Sequence, residues 1–408
     1  MQKKLIALAI AGLSSAAFAQ TNVTIYGVAD ASFDVIRVSG GSGALSDNTP
    51  NFTRVSTNGS YIGFKGTENL GNGLNAIFQF ESDAKFDNGG SLSTGRDSFV
   101  GLSGNFGKVL LGTLTAPTRA LGARLDVNTG EGIGSNTAIL GKLGGGLAYG
   151  NLQKTLINVG SIASVTDYNL SGRSNDTTSL FDSRHKNSIA YVSPSFSGFQ
   201  ASAVYMANEN KSEGAAAFPF GPINTSAYDL GLTYDNGPIY IGGTYAELRV
   251  KNDNPIPVLL VVGGLPSDTK VKEARLGGIY DFGMATIRGL YARTKVEGGG
   301  TDVKQNVWGL GATYNVTANG RITAQYYRAN DLDGTPTDDD TGAKFYTIGY
   351  EHSLSKRTML KANYTYLKND SMTSTNGNGG YDFGYNSSGF AGDEIKVSGL
   401  QLGLRHAF

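Results

Sequence analysis

The chain has 408 residues, with 34 basic and 34 acidic side chains, 58 glycines and no cysteine. Such a charge balance argues against a nucleic-acid binder, which needs a basic face, and the lack of cysteine excludes disulfides and thiolate metal sites. Helical spacing is rare, glycine is about twice its usual ~7%, and no stretch beyond residue 13 approaches the ~18 apolar residues of a membrane helix.

The N-terminus reads as an export signal. Lys3 and Lys4 precede an apolar run at 5–13, then Ala17-Phe18-Ala19 and Gln20. A charged start, a short apolar stretch and small residues flanking one position predict cleavage after residue 19. The run is too short to span ~30 Å of hydrocarbon.

From Val23 onward the chain alternates with period two over roughly ten residues at a time. In the first run Val23, Ile25, Gly27 and Ala29 share one face, and Thr24, Tyr26 and Asp30 share the other. Similar segments are expected at 61–68, 74–81, 96–103 and 108–114. After a long gap they resume at 184–193, 199–207, 227–234, 239–250, 272–281, 285–297, 305–314, 321–331, 343–352, 358–369 and 395–408. These make sixteen strands. Their connections alternate between short turns, as at 69–73 and 235–238, and long polar loops, as at 40–52, 208–226, 251–271, 332–342 and 370–394.

Half-apolar strands of this length, joined by short and long connections in turn, predict an all-β transmembrane antiparallel barrel. The physical reason is strict. A sheet in hydrocarbon must close, because unpaired edge N–H and C=O groups have no water to bond. A soluble β-sandwich also alternates, but it has neither the export signal nor the alternating loop lengths.

The gap at 116–182 is the longest. It is glycine-rich and carries Arg119, Arg124, Asp126, Glu131 and Lys142. A connection of that length in a compact domain points to function. We expect it to fold into the lumen and narrow it, with 141–182 a candidate insertion.

The chain ends, Val23-Thr-Ile-Tyr-Gly-Val-Ala-Asp30 and Gly403-Leu-Arg-His-Ala-Phe408, resemble the first and last strands of Gram-negative general porins, in particular the betaproteobacterial type. Internal runs agree in order: Gly63-Phe-Lys-Gly-Thr-Glu68, Leu74-Asn-Ala-Ile-Phe-Gln-Phe-Glu81, Gly95-Arg-Asp-Ser-Phe-Val-Gly-Leu-Ser103 and Asn187-Ser-Ile-Ala-Tyr-Val-Ser-Pro194. The resemblance implies a sixteen-stranded barrel in the outer membrane, amid its lipid and lipopolysaccharide. It implies a homotrimer, and passive diffusion of ions and small hydrophilic solutes. It also makes the third external loop the eyelet, and Phe408 a signal read by the outer-membrane assembly machinery. The family's basic ladder falls at Tyr61, Arg96 and Thr113, so only one of its three positions is basic here. Asp126 and Glu131 stand where the family loop carries its acids. Arg54, ahead of the second expected strand, Arg119 and Arg124 on the gap segment, and Arg184, where the chain rejoins the wall, are further pore candidates. A solute-specific channel for an organic acid or oligosaccharide is the alternative reading, motivated by the missing ladder arginines.

No catalytic residue, cofactor or metal is expected. The three histidines (His185, His352, His406) lack any nucleophile-and-acid pattern, and the acidic triplet 338–340 lacks cation-loop spacing.

Overall fold

The computed structural model describes residues 22–40, 51–87, 89, 95–144, 180–207, 223–252, 268–298, 301–334, 339–371, 381, 383 and 394–408. The expected export signal at 1–19, most of the 141–182 stretch and Asp338 lie outside the described residues.

Seventeen strands are described: β1 (Asn22–Ser39), β2 (Asn51–Ser56), β3 (Tyr61–Gly71), β4 (Leu74–Asp83), β5 (Ser98–Gly104), β6 (Gly107–Thr115), β7 (Arg184–Val192), β8 (Phe199–Met206), β9 (Ile223–Asn236), β10 (Ile239–Asn252), β11 (Asp268–Asp281), β12 (Ala285–Gly298), β13 (Thr301–Asn315), β14 (Gly320–Ala329), β15 (Ala343–Ser353), β16 (Thr358–Asn369) and β17 (Lys396–Ala407). They form sixteen staves, because β2 and β3 lie end to end along β1. The inner half of β1 pairs with β3 and its outer half with β2. Arg54 therefore sits within β2 rather than ahead of a strand.

Each stave pairs antiparallel with the next, and β17 returns to β1 from Val28↔Ala407 to Ser39↔Lys396. The seam is finished by Phe408, whose N–H donates to the Gly27 carbonyl at 3.1 Å. The turn between β3 and β4 is Asn72-Gly73, with φ of +52° and +79°. That pair of positive angles is what a tight hairpin turn needs to match strand twist.

The strands run longer than the alternating pattern indicates, with β9 to β12 at 14 residues each. The apolar band matches the bilayer, whereas the hydrogen-bonded ladder continues beyond it into water. Burial is inverted relative to a soluble protein. Leu232, Leu276, Ile287, Leu310, Ile348 and Leu402 are exposed, while Glu273, Arg275, Gln325, Thr347 and Gln401 are buried. An apolar outside and polar inside is the arrangement that lipid demands.

One short helix, α1 (Pro117–Leu125), follows β6. Proline at its first turn suits helix entry, since that N–H has no helical partner. Its residues Pro117, Leu121 and Leu125 are four apart, so they share one face. That face meets glycines on the inner wall. A Cβ added at Gly231 would lie 2.7 Å from Pro117, one at Gly242 2.6 Å from Leu121, and one at Gly277 against Leu125. Val127, just beyond the helix, meets Gly311 in the same way. The following residues Ile133, Ala138, Ile139 and Leu140 join a buried apolar cluster with Ile36, Leu290, Val307, Phe345, Leu367 and Val397. Part of the barrel interior is thus dry.

This close approach makes a prediction. A methyl group at Gly277 would also lie 2.7 Å from the Gly289 carbonyl, which is main chain and cannot swing away. Gly277→Ala is expected to destabilise the docked helix by about 1–3 kcal/mol, the usual cost of overpacking. Gly243→Ala, with nothing nearer than 3.9 Å, is the neutral control. Thermal unfolding of the two variants checks the difference.

Candidate pore constriction

The segment after β6 is held at its base by buried polar contacts. Thr118 donates from its backbone N–H to Asp229 Oδ2 at 3.1 Å and from its hydroxyl to Asp229 Oδ1 at 2.9 Å. Asp182, where the segment returns to the wall, takes a two-pronged bond from Arg275 Nη1 and Nη2 at 2.8 and 2.7 Å. Arg275 also donates to the Thr118 carbonyl at 3.1 Å and pairs with Glu273. One guanidinium therefore ties both ends of the segment to β11.

Farther along, the segment follows the inner wall. Gln325 donates to Asp126 Oδ1 at 3.0 Å and to the Gly134 carbonyl at 2.7 Å. Thr129 bonds Glu351, which pairs with Arg321. Lys361 forms a buried ion pair with Asp30 at 2.7 Å and approaches the Thr129 carbonyl. These partners sit on β14, β15, β16 and β1, so the segment spans a large arc of the barrel interior.

A cluster of charge lies where the segment faces β3 to β7. Arg119 pairs with Glu131 at 2.8 Å and also donates to the Asp182 carbonyl. Arg96 pairs with Glu81 at 3.4 Å and Asp83 at 3.1 Å, and its guanidinium stacks 4.6 Å from the Tyr61 ring. Arg184 pairs with Asp97 at 3.1 Å. Partial desolvation by the surrounding wall raises the half-exposed Glu131 carboxyl, but Arg119, Arg96 and Arg184 outweigh it and hold the pKa below the ordinary 4.5. Three arginines from three separate parts of the chain thus act on one carboxylate.

Comparison with known proteins now bears on the barrel. The family model described as Gram-negative porin matches residues 5–373. The chain belongs to the Gram-negative porins. It is 31% identical to outer membrane porin protein 32 of Delftia acidovorans, over all of both chains. It is 28% identical to the major outer membrane protein P.IB of Neisseria sicca, again over both full lengths. Among solved structures it resembles the anion-selective porin from Comamonas acidovorans, with TM-score 0.67 and 29% identity over 95% of this chain and 100% of that one. An outer membrane protein of Vibrio cholerae shares the fold alone, at TM-score 0.61 and 14% identity over 95% of this chain and 99% of that one. This porin is an outer-membrane channel for passive diffusion and, like its family, is not an enzyme.

Of the expected pore residues, Tyr61, Arg96, Arg119, Glu131 and Arg184 are brought together. Three others are not. Arg54 pairs with Asp34 at 3.0 Å on the β1–β2 wall. Arg124 points the opposite way from Arg119, pairing with Asp235 at 3.4 Å and stacking over Tyr240. Asp126 is buried beneath the segment and accepts from the Asn136 N–H at 2.9 Å and from Gln325. Burial raises its pKa, and these donors hold the rise back. Thr113 lies on β6 opposite Ser98, whose hydroxyl donates to the Glu81 carbonyl at 3.4 Å, beside the cluster. Sequence reasoning passed over Arg275, Glu273, Asp229 and Asp182. For Asp229 and Arg275 a signal was available: a mid-strand charge flanked by apolar outward neighbours, Tyr228 and Leu230 or Ala274 and Leu276. Asp182, in a short turn before β7, and Glu273, beside Lys272, carried none.

The sign of the Glu131 shift gives a pH prediction. A depressed carboxylate pKa means the Arg119–Glu131 pairing is complete above the ordinary glutamate value and is lost only as pH falls through the lower, folded value. The reversal-potential difference between the native porin and Glu131→Gln is therefore expected to stay constant down to about pH 4.5 and to vanish below it. A difference that vanishes above that value contradicts the assignment.

Proposed function

We propose that residues 20–408 form a single barrel domain once 1–19 are removed, and that 116–182 is its constriction. The selective element is the meeting of Arg96, Arg119 and Arg184 with Glu131. The observation that carries this reading is the convergence of those three arginines on one segment carboxylate. Charged groups with low-dielectric walls focus the field on a passing ion.

We further propose that the eyelet is only weakly ion-selective. The Comamonas acidovorans porin is described as anion-selective. In this chain Tyr61 and Thr113 occupy two of the three ladder positions. The three arginines also face four carboxylates, Glu81, Asp83, Asp97 and Glu131. Homotrimer formation and recognition of Phe408 by the outer-membrane assembly machinery complete the reading. The family resemblance supports both, and Phe408 has a built role at the β17–β1 seam.

The test is the zero-current potential of purified porin across a potassium chloride gradient in a planar bilayer. A value near zero, with linear current unblocked by organic acids, is the expected result. A potential close to the chloride equilibrium value overturns weak selectivity. Saturable block overturns free diffusion.

A further inference from the structure

The outward face of β14 to β17 carries a row of cations. Arg328, Lys344, Lys368 and Lys396 stand directly opposite one another in register on four consecutive strands. Neighbouring strands are ~4.8 Å apart, so the row is about 14 Å long. Like charges placed directly opposite destabilise a sheet. Only two carboxylates among the described residues offset the row. Asp370 pairs with Arg328 at 2.8 Å, and Glu394 reaches Lys368 at 3.3 Å and Lys396 at 3.7 Å. Lys344 is exposed and has no carboxylate partner among the described residues.

A second row shows that such an excess of charge is not inevitable near the strand ends that meet the outer connections. Lys272, Lys295 and Lys304 are also in register, on β11 to β13. Three carboxylates accompany them: Glu297 at 2.6 and 2.9 Å, Asp302 at 2.9 Å and Asp333 at 2.7 Å. That row is neutral, whereas the row on β14 to β17 keeps two positive charges in excess.

The surroundings of the charged row specify what offsets it. One tier nearer the membrane centre, Tyr326, Tyr346 and Tyr366 stack across the same strands, with ring centroids 5.9 and 5.2 Å apart. One tier further lie Ile348, Tyr364 and Leu400, in register and exposed. Aromatic rings belong at headgroup height and aliphatic side chains in hydrocarbon. The row adjoins the long connections 330–342 and 370–395, which places it at the outer leaflet.

We propose that this three-tier strip is a binding site for a bisphosphorylated glycolipid of the outer leaflet, of the lipopolysaccharide class. Its phosphates lie on the cation row, its sugars over the tyrosines and its acyl chains along Ile348, Tyr364 and Leu400. The strip is too long for one phosphate, and its lower tiers suit acyl chains rather than a soluble anion. The assignment deepens the outer-membrane reading and rests on the barrel's placement in lipid.

The experiment uses the purified porin in phosphatidylcholine nanodiscs containing diphosphoryl lipid A, with bound lipid counted by native mass spectrometry. Each basic residue near a membrane surface contributes roughly fivefold in affinity, so Lys344/Lys368/Lys396→Gln is expected to bind about a hundredfold more weakly. Lys344→Gln alone disturbs no ion pair and is expected to lose roughly fivefold. Lys272/Lys295/Lys304→Gln is expected to bind like the native porin. Equal loss in both triple variants, undiminished binding by the first, equal retention of phosphatidylglycerol, or displacement by millimolar inorganic phosphate would each overturn the site. Single-channel conductance, unchanged in all variants, separates failure of this site from failure of the channel reading.

Discussion

Arg275→Met is expected to lower the stability of the barrel by about 3–5 kcal/mol and to loosen the constriction. The side chain is fully buried and holds two carboxylates, Asp182 and Glu273. Removing it leaves both as uncompensated charges in a water-poor site, which is far costlier than the net value of the pairing itself. It also frees the Thr118 carbonyl and unties the return of the segment at Asp182. Asp229 still holds Thr118, so one end of the segment stays anchored. The expected signature is a lower thermal transition together with larger and noisier single-channel currents. The triple variant Arg275→Met, Asp182→Asn, Glu273→Gln is expected to recover much of the stability, because no charge is left unpaired, yet to keep the noisy current. A native transition temperature in Arg275→Met would show that the guanidinium carries no tension between segment and wall.

The second large effect concerns selectivity. A unit charge ~6 Å from a passing ion is worth about 0.7 kcal/mol even in bulk water. The sign is opposite for anion and cation, so deleting one arginine changes their permeability ratio by about tenfold. Arg96→Ala, Arg119→Ala and Arg184→Ala are each expected to move the reversal potential toward cations by that order at low salt. The shift shrinks toward 1 M, where the screening length falls to ~3 Å. Arg54→Ala and Arg124→Ala, whose partners Asp34 and Asp235 stand apart from the cluster, are the controls. Equal shifts in the controls would place the selective field elsewhere in the lumen.

Much of the architecture was legible before any coordinates. The alternation at Val23 to Asp30 and at 74–81 named the faces correctly, because a strand's side chains must alternate and lipid tolerates only apolar ones. Strand ends were less legible. The β1 ladder runs to Ser39, well past the apolar stretch, and a break at 57–60 splits one stave into β2 and β3. Hydrogen-bonded pairing continues where hydropathy has stopped signalling.

The candidate site divides the same way. Arg96 stood out at a ladder position on the expected strand 96–103, and Glu131 as an acid on the long gap segment. Nothing local distinguished Arg119 from Arg124, five residues apart on one short helix. They point to different partners because α1 docks by Pro117, Leu121 and Leu125, and the docking face decides which side of the helix looks at Glu131. Likewise no local pattern set any of the scattered glycines apart. Gly231, Gly242, Gly277 and Gly311 form the groove that receives the segment.

The linear chain by itself determined that this protein closes into a barrel in lipid, since the alternation of apolar and polar residues and the cost of an unpaired sheet edge are properties of each strand. Only the tertiary structure decided which charges meet. Arg96, Arg119, Arg184 and Glu131 are remote in the chain or on different faces of it, and their encounter depends on how one segment packs against a curved wall, a condition no local pattern encodes.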